Sequence, residues 1–151
     1  MEGHTDWVSD VMFSPDGRLL LSLGKDHLGI LWDTAAWRPV RRLVGHRQWI
    51  NRGAFSPDGA RSVTGGDDGV AFVWDVVTGH PLLRLDPGNA VSGVDFAPDG
   101  TAVVLGIKGA ALIFPMDLPR ADLPVPASLR QAEQDAGLRL TGFELVVQRP
   151  R

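Results

Sequence analysis

The chain has 151 residues, a formal charge of −3 from 15 basic and 18 acidic side chains, and no cysteine. That length is one domain's worth and enough to bury a sizeable core, while the absence of cysteine excludes disulfides and thiolate metal sites. The charges are scattered with no basic block to track a phosphate backbone, which argues against a nucleic-acid partner. No uncharged apolar run reaches the roughly 18 residues of a membrane span, and Met1-Glu2-Gly3-His4-Thr5-Asp6 has no basic start leading into an apolar stretch. The expectation is therefore a cytoplasmic protein without a membrane partner. Eighteen glycines, 11 prolines, five tryptophans and no tyrosine fit a turn-rich, all-β chain.

In chain order, the first unit (residues 1–44) opens on Gly3-His4 and predicts strands over Val8–Phe13, Leu19–Leu23, Leu28–Trp32 and Val40–Val44. The first two are separated by Ser14-Pro15-Asp16-Gly17, where proline presets φ and glycine accepts positive φ at the exit. Gly24-Lys25-Asp26 turns the chain again, and Trp32-Asp33 closes the third strand. The second unit (45–86) repeats this without a gap: Gly45-His46, Phe55-Ser56-Pro57-Asp58-Gly59 and Trp74-Asp75 each follow their counterparts by 42 residues, and 15 of 42 aligned positions are identical. Its strands are predicted over Ile50–Phe55, Arg61–Thr64, Val70–Trp74 and Leu82–Leu85. Short strands about ten residues apart admit a sandwich, barrel or propeller, and the 42-residue period selects the propeller.

A third, degenerate unit (87–114) keeps Phe96-Ala97-Pro98-Asp99-Gly100 between strands over Val91–Phe96 and Ala102–Leu105. It has Gly88-Asn89 near the Gly-His place, Leu105 for the hydroxyl residue, Gly109 for the aspartate and Phe114-Pro115 for Trp-Asp, so packing is expected to replace polar bracing there. Pro115, Pro119, Pro124 and Pro126 then mark a proline-rich linker over 115–127. The last segment, 128–151, predicts a short helix begun by Ser128 and Gln131 and ended at Gly137, then a hairpin of Leu138–Leu140 and Phe143–Val147. Phe143–Val147 is a candidate for the third unit's missing fourth strand.

Gly-His, the Phe-Ser-Pro-Asp-Gly turn, Ser/Thr-x-x-x-Asp and Trp-Asp, in this order and spacing, resemble the WD-repeat family. The resemblance covers residues 3–86 well and 87–114 weakly; the tail is similar to a closing segment of WD arrays in large bacterial proteins. It implies a partial, about three-bladed WD-type β-propeller with a C-terminal helix and hairpin. It also implies a bracing tetrad in each complete unit, His4, Ser22, Asp26 and Trp32, then His46, Thr64, Asp68 and Trp74. Partners of the family often meet the narrow top face. By position this gives Trp7, Ser9 and Lys25, then Trp49, Asn51 and Asp67, and in the degenerate unit Ala90, Ser92 and Lys108.

Ser22, His4 and Asp26 are also the residue types of a hydrolase triad, echoed by Thr64, His46 and Asp68. They recur at repeat-bound positions without a Gly-x-Ser-x-Gly elbow, so bracing is the reading and no catalytic residue is assigned. His27 and His80 sit in turns without zinc-ligand spacing, and Asp67-Asp68-Gly69 lacks a calcium-loop pattern, so no metal or cofactor is assigned. Trp37 reads as surface packing.

Three blades do not close a ring, for which about four to eight are usual. The expectation is a C-terminal part of a longer array, with the remaining blades supplied by upstream sequence; self-association is the alternative. The function expected is a protein–protein interaction scaffold, the docking or sensor part of a larger bacterial regulatory protein such as a kinase or nucleotide-hydrolysing switch. The alternatives are an enzyme or small-ligand binder at the channel of a closed oligomeric ring, and a non-functional truncated fragment.

Overall fold

The computed structural model describes residues 3–116, 138–140 and 145–147, the last two segments as strands only. The first sheet has the order β1 (Val8–Phe13), β2 (Leu19–Gly24), β3 (Leu28–Asp33), β4 (Arg38–Val44), and the second repeats it with β5 (Ile50–Phe55), β6 (Arg61–Gly66), β7 (Ala71–Asp75), β8 (Pro81–Leu85). The third contains β9 (Val91–Phe96), β10 (Ala102–Ile107) and β11 (Ala110–Pro115), followed by β13 (Leu145–Val147) and, at the edge, β12 (Leu138–Leu140). All pairings are antiparallel. Leu145–Val147 thus lies beside β11 as the fourth strand of the third blade, with Ile113 opposite Leu145 and Ala111 opposite Val147. No helix occurs among the described residues; the predicted linker beyond Met116 and the helix over 128–137 lie outside them.

The turns form as proline and glycine dictate. Gly17, Gly59 and Gly100 all adopt φ of 71–72°. Behind them the Ser14 hydroxyl donates to Asp16 at 2.6 Å and Ser56 to Asp58 at 2.5 Å. Those hydroxyls, with the backbone N–H of Arg18 and Ala60, hold both carboxyls below the usual range. Of the prolines within strands, Pro39 and Pro81 fall on β4 and β8, the outer strands of their sheets, where a missing N–H breaks no interior ladder, and Pro115 is the last residue of β11.

Strand alternation gives each sheet two faces, and the sheets stack through them. From the first sheet Leu21, Leu23, Leu31 and Leu43 meet Ile50, Phe72 and Trp74 of the second. From the second, Val63, Ala71 and Val73 meet Val91, Phe96, Val103, Leu105, Leu112 and Phe114 of the third. Among the first strands β5 neighbours both β1 and β9, and the sheets fan outward from them as part of a β-propeller. In the third sheet Leu105 is fully buried and Phe114 nearly so, so apolar packing stands where the other two carry a hydroxyl and an indole. The outward face of the first sheet keeps a small cluster of Leu20, Ile30 and Trp32, beside Val8, Val11 and Phe13 at 50, 57 and 58% exposure.

The turn between the second and third strands needs a left-handed residue in every unit. Gly69 (φ 74°) supplies it without strain in the second unit and His27 at φ 68° in the first, while the shorter third hairpin uses Gly109 (φ 81°), one place earlier at the aspartate's position. A side chain in that region costs about 1–2 kcal/mol, part of which glycine's greater unfolded freedom cancels. His27→Gly is therefore expected to stabilise the chain by about 0.5–1 kcal/mol, read as a raised urea midpoint at unchanged slope.

Candidate functional site: two polar tetrads and the rim above them

Each tetrad is assembled from the segment before a sheet's first strand, its second and third strands, and the turn between them. In the first, Trp32 Nε1–H donates to Ser22 Oγ at 2.8 Å, Ser22 meets His4 Nε2 at 2.8 Å, and His4 Nδ1 meets the Asp26 carboxylate at 2.9 Å. The second repeats this with Trp74 to Thr64 at 2.9 Å, Thr64 to His46 Nε2 at 2.8 Å, and His46 Nδ1 to Asp68 at 3.0 Å. One proton arrangement satisfies every group: indole N–H to hydroxyl oxygen, hydroxyl to Nε2, and Nδ1–H to carboxylate, with imidazole neutral. The carboxylates finish the chain by accepting backbone N–H groups, Thr5 at 2.9 Å and Leu28 at 3.3 Å for Asp26, Arg47 at 2.9 Å and Val70 at 3.1 Å for Asp68.

Small residues make this closure sterically feasible. A methyl group on Gly24 would lie 2.5 Å from His4 Nδ1, and one on Gly66 would lie 3.0 Å from His46 Nδ1. The glycine of each Gly-His pair serves the indole: a methyl on Gly3 or Gly45 would come within 2.7 or 2.9 Å of the Trp32 or Trp74 ring. Burial sets the electrostatics. Desolvation pushes the His46 pKa below its ordinary 6.5, more than the Asp68 carboxylate raises it. At Asp26 burial works upward, yet hydrogen bonds from His4 and from the Thr5 and Leu28 N–H groups carry the net shift below 3.8.

These distances are also those of a nucleophile–base–acid relay. The hydroxyls, however, are enclosed, Ser22 at 5% exposure and Thr64 at 0%, and each already accepts an indole N–H. An oxygen so engaged would have to break that bond before attacking a substrate. The first tetrad lies beside an open concavity of about 420 Å³ lined by Gly3, His4, Asp6, Val8, Val11, Leu20, Ser22 and Trp32. Its counterpart in the second sheet is filled by the first sheet's leucines. Among the described residues no group of three or more His, Cys, Asp or Glu side chains is placed to hold a metal ion.

The rim residues divide into two kinds. Trp7 (74% exposed) and Trp49 (46%) stand at the starts of neighbouring blades, and the Lys25 ammonium lies between them, 4.7 Å from the first ring and 4.0 Å from the second. Backbone bonds fix this arrangement: Lys25 N–H donates to the Trp7 carbonyl at 2.8 Å, and Asp67 N–H to the Trp49 carbonyl at 2.9 Å. Ser9 and Asn51 instead reach the following blade. Ser9 Oγ donates to the Leu23 and Ile50 carbonyls; Asn51 Nδ2 donates to Asp67 at 2.6 Å and to the Val91 carbonyl at 3.1 Å. Both occupy bulges, between Val8 and Asp10 and between Ile50 and Arg52, and an extra residue there re-aims its side chain. Ser92 occupies the equivalent bulge of the third sheet, exposed and bonded only within its own sheet, to the Gly106 carbonyl at 3.2 Å; Lys108 is exposed. Trp37, 51% exposed and at φ 51°, sits between β3 and β4, away from these residues in the sequence. Repeat spacing alone does not show the lysine–indole contact; its signal, Lys25 one blade before Trp49, is visible only when the repeats are stacked.

Residues 1–33 and 37–75 match the WD domain, G-beta repeat family. The chain is similar to Nuclear distribution protein PAC1 of Arthroderma benhamiae, 54% identical over 39 residues, which are 26% of this chain and 8% of that protein. Small ribosomal subunit protein RACK1z of Arabidopsis thaliana is 54% identical over 35 residues, 23% of this chain and 11% of that protein. The chain therefore covers about a tenth of the length of the relatives it matches.

Two outcomes test the tetrads as braces. Thr64→Ala orphans the Trp74 N–H and His46 Nε2 in a dry site and is expected to cost about 1–3 kcal/mol, measured by urea denaturation. Acid should weaken the fold through His46, because its folded pKa lies below its unfolded value. The unfolded chain then binds the proton first, so this contribution is whole above pH 6.5 and is lost as pH falls from there through the folded pKa. A urea midpoint flat from pH 7 to about pH 5 would contradict the assignment.

Proposed function

We propose that this chain, an arc of WD repeats, is a protein–protein docking module that meets its partner at the rim carrying Trp7, Lys25 and Trp49. The observation that carries this is the pair of exposed indoles bracketing one ammonium, on backbone held by hydrogen bonds to the neighbouring turn. Indoles left in water are candidate anchors, since each offers a large apolar surface and one N–H, and tryptophan is enriched where binding energy concentrates. Lys25 adds a cation held between the two rings, a contact that lowers the side-chain ordering a partner must supply. One relative with this repeat bears the name of a small-ribosomal-subunit protein, a part of a larger assembly, which agrees with a docking role.

The same reading makes the chain a non-catalytic part of a larger cytoplasmic regulatory protein of bacterial type. The enclosed hydroxyls favour bracing over hydrolysis.

The test is capture of binding proteins on the immobilised chain, with Trp7→Ala and Trp49→Ala made separately. Each variant should keep its urea midpoint within about 0.5 kcal/mol of the parent, as exposed positions do, while losing captured protein by the equivalent of about 2 kcal/mol or more. An unchanged set of captured proteins with both indoles removed would end the proposal.

A further inference from the structure

The rim over the first two blades holds cations that no carboxylate answers. Lys25, half-buried in the turn between β2 and β3, has its ammonium 4.7 Å from the Trp7 ring and 4.0 Å from the Trp49 ring. Arg47, exposed, stands two residues before Trp49. Among the described residues no carboxylate oxygen lies within 4.0 Å of either head group; the ion pairs there are His4–Asp26, Arg18–Asp16, His46–Asp68 and Arg84–Asp86. An ammonium has three N–H donors, and two ring faces leave at least one for an acceptor from outside.

The carboxylates of the same rim are already engaged. Asp26 and Asp68 each accept from an imidazole and from two backbone N–H groups. Asp67 accepts from Asn51 at 2.6 Å, and Asp6 accepts the Trp7 N–H at 2.7 Å. Position then matters more than total charge. The whole chain carries −3, but charges more than about 8–10 Å away are screened at physiological salt, so an incoming group responds to Lys25 and its neighbours.

Those neighbours include an exposed acid on each side. Asp6 precedes Trp7, and the Asp67 N–H is bonded to the Trp49 carbonyl at 2.9 Å. A run of acids laid along the rim would gain at Lys25 and lose at Asp6 and Asp67. A lone carboxylate avoids that loss. Immediately beside Lys25 the surface is indole, which suits apolar side chains. Lys25 and Trp49 meet over the boundary between the first and second sheets, so the site is complete within two neighbouring blades.

We propose that the segment docking at this rim presents one aspartate or glutamate between apolar residues. Its carboxylate would accept from the Lys25 ammonium, and the flanking apolar side chains would lie against the indoles. The inference rests on the docking role proposed above and gives the partner a chemistry. Because the ammonium is half-buried between rings, a charge-assisted hydrogen bond there outweighs an ordinary surface ion pair.

The test titrates the full chain with synthetic peptides: capped Ala-Leu-Glu-Leu-Ala, the same peptide with glutamine for glutamate, and pentaglutamate. Binding is read by calorimetry and by tryptophan fluorescence. The glutamate peptide should bind about threefold to tenfold more tightly than the glutamine peptide, with the ratio shrinking as salt rises. Pentaglutamate should bind more weakly than the single acid, and Asp6→Asn, which keeps an oxygen for the Trp7 N–H, should narrow that gap. Lys25→Met keeps an unbranched stem between the rings and should erase the glutamate–glutamine difference, with circular dichroism unchanged. Equal binding of those two peptides by the parent chain, a preference for pentaglutamate, or no binding of any peptide at millimolar concentration overturns the proposal. Its failure is separable from that of the docking role. Capture lost with Trp7→Ala and Trp49→Ala yet complete with Lys25→Met keeps the rim as the docking surface and refutes the lone acid. Capture kept by all three variants refutes both.

Discussion

Polarity in these sheets is organised by a chain of hydrogen bonds that can run in only one direction. An indole N–H has no acceptor and a carboxylate no donor, so Trp32 and Asp26 set the two ends. The hydroxyl and the neutral imidazole between them then have one consistent arrangement. Because the four groups come from the segment before β1 and from β2, its turn and β3, satisfying them fixes the entering chain against two strands at once. Protonating the imidazole would place a donor against the hydroxyl and leave a hydrogen without a partner. Burial at His46 opposes the same protonation, so geometry and desolvation act together.

The third sheet shows that this bracing is one solution among others. With Leu105 and Phe114 in place of the hydroxyl and the indole, no buried polar atom at those two positions needs a partner, and the face is held by contact with Val63, Ala71 and Val73. An apolar face is tolerant of small displacements, whereas a polar relay loses a hydrogen bond when one member moves. The two complete blades are thus the more exactingly specified parts, and they carry the paired tryptophans of the rim.

Stacking introduces a second level of specification. The sheets resemble one another in hydrogen bonding but not in side-chain size at their contacts. Leucine against glycine at one boundary and glycine against valine at the next make the faces non-interchangeable, although the backbones repeat. Size matching of this kind orders the blades, since a face offered the wrong neighbour meets either a void or a clash. The bulge residues Ser9 and Asn51 add a directional hydrogen bond to each boundary, and Lys25 adds a cation–indole contact at the first.

The 42-residue period and the strand order within each unit were legible in the sequence, because each rests on residues within one repeat whose chemistry is local; the tetrad positions came from the resemblance to the WD-repeat family. Strand ends moved by a residue or two, as at β6, which runs on through Gly65 and Gly66. Only the tertiary structure decided that Ser9 and Asn51 stitch one blade to the next while Trp7 and Trp49 stay in water. It also decided that Lys25 lies between those rings, that Leu145–Val147 returns to β11, and that Gly53 and Gly65 are sockets. These facts concern residues distant in the sequence, most of which meet through the angle and spacing at which two sheets stack. A linear pattern records which residue types recur, but which side chain faces which neighbour follows from how close the sheets can approach.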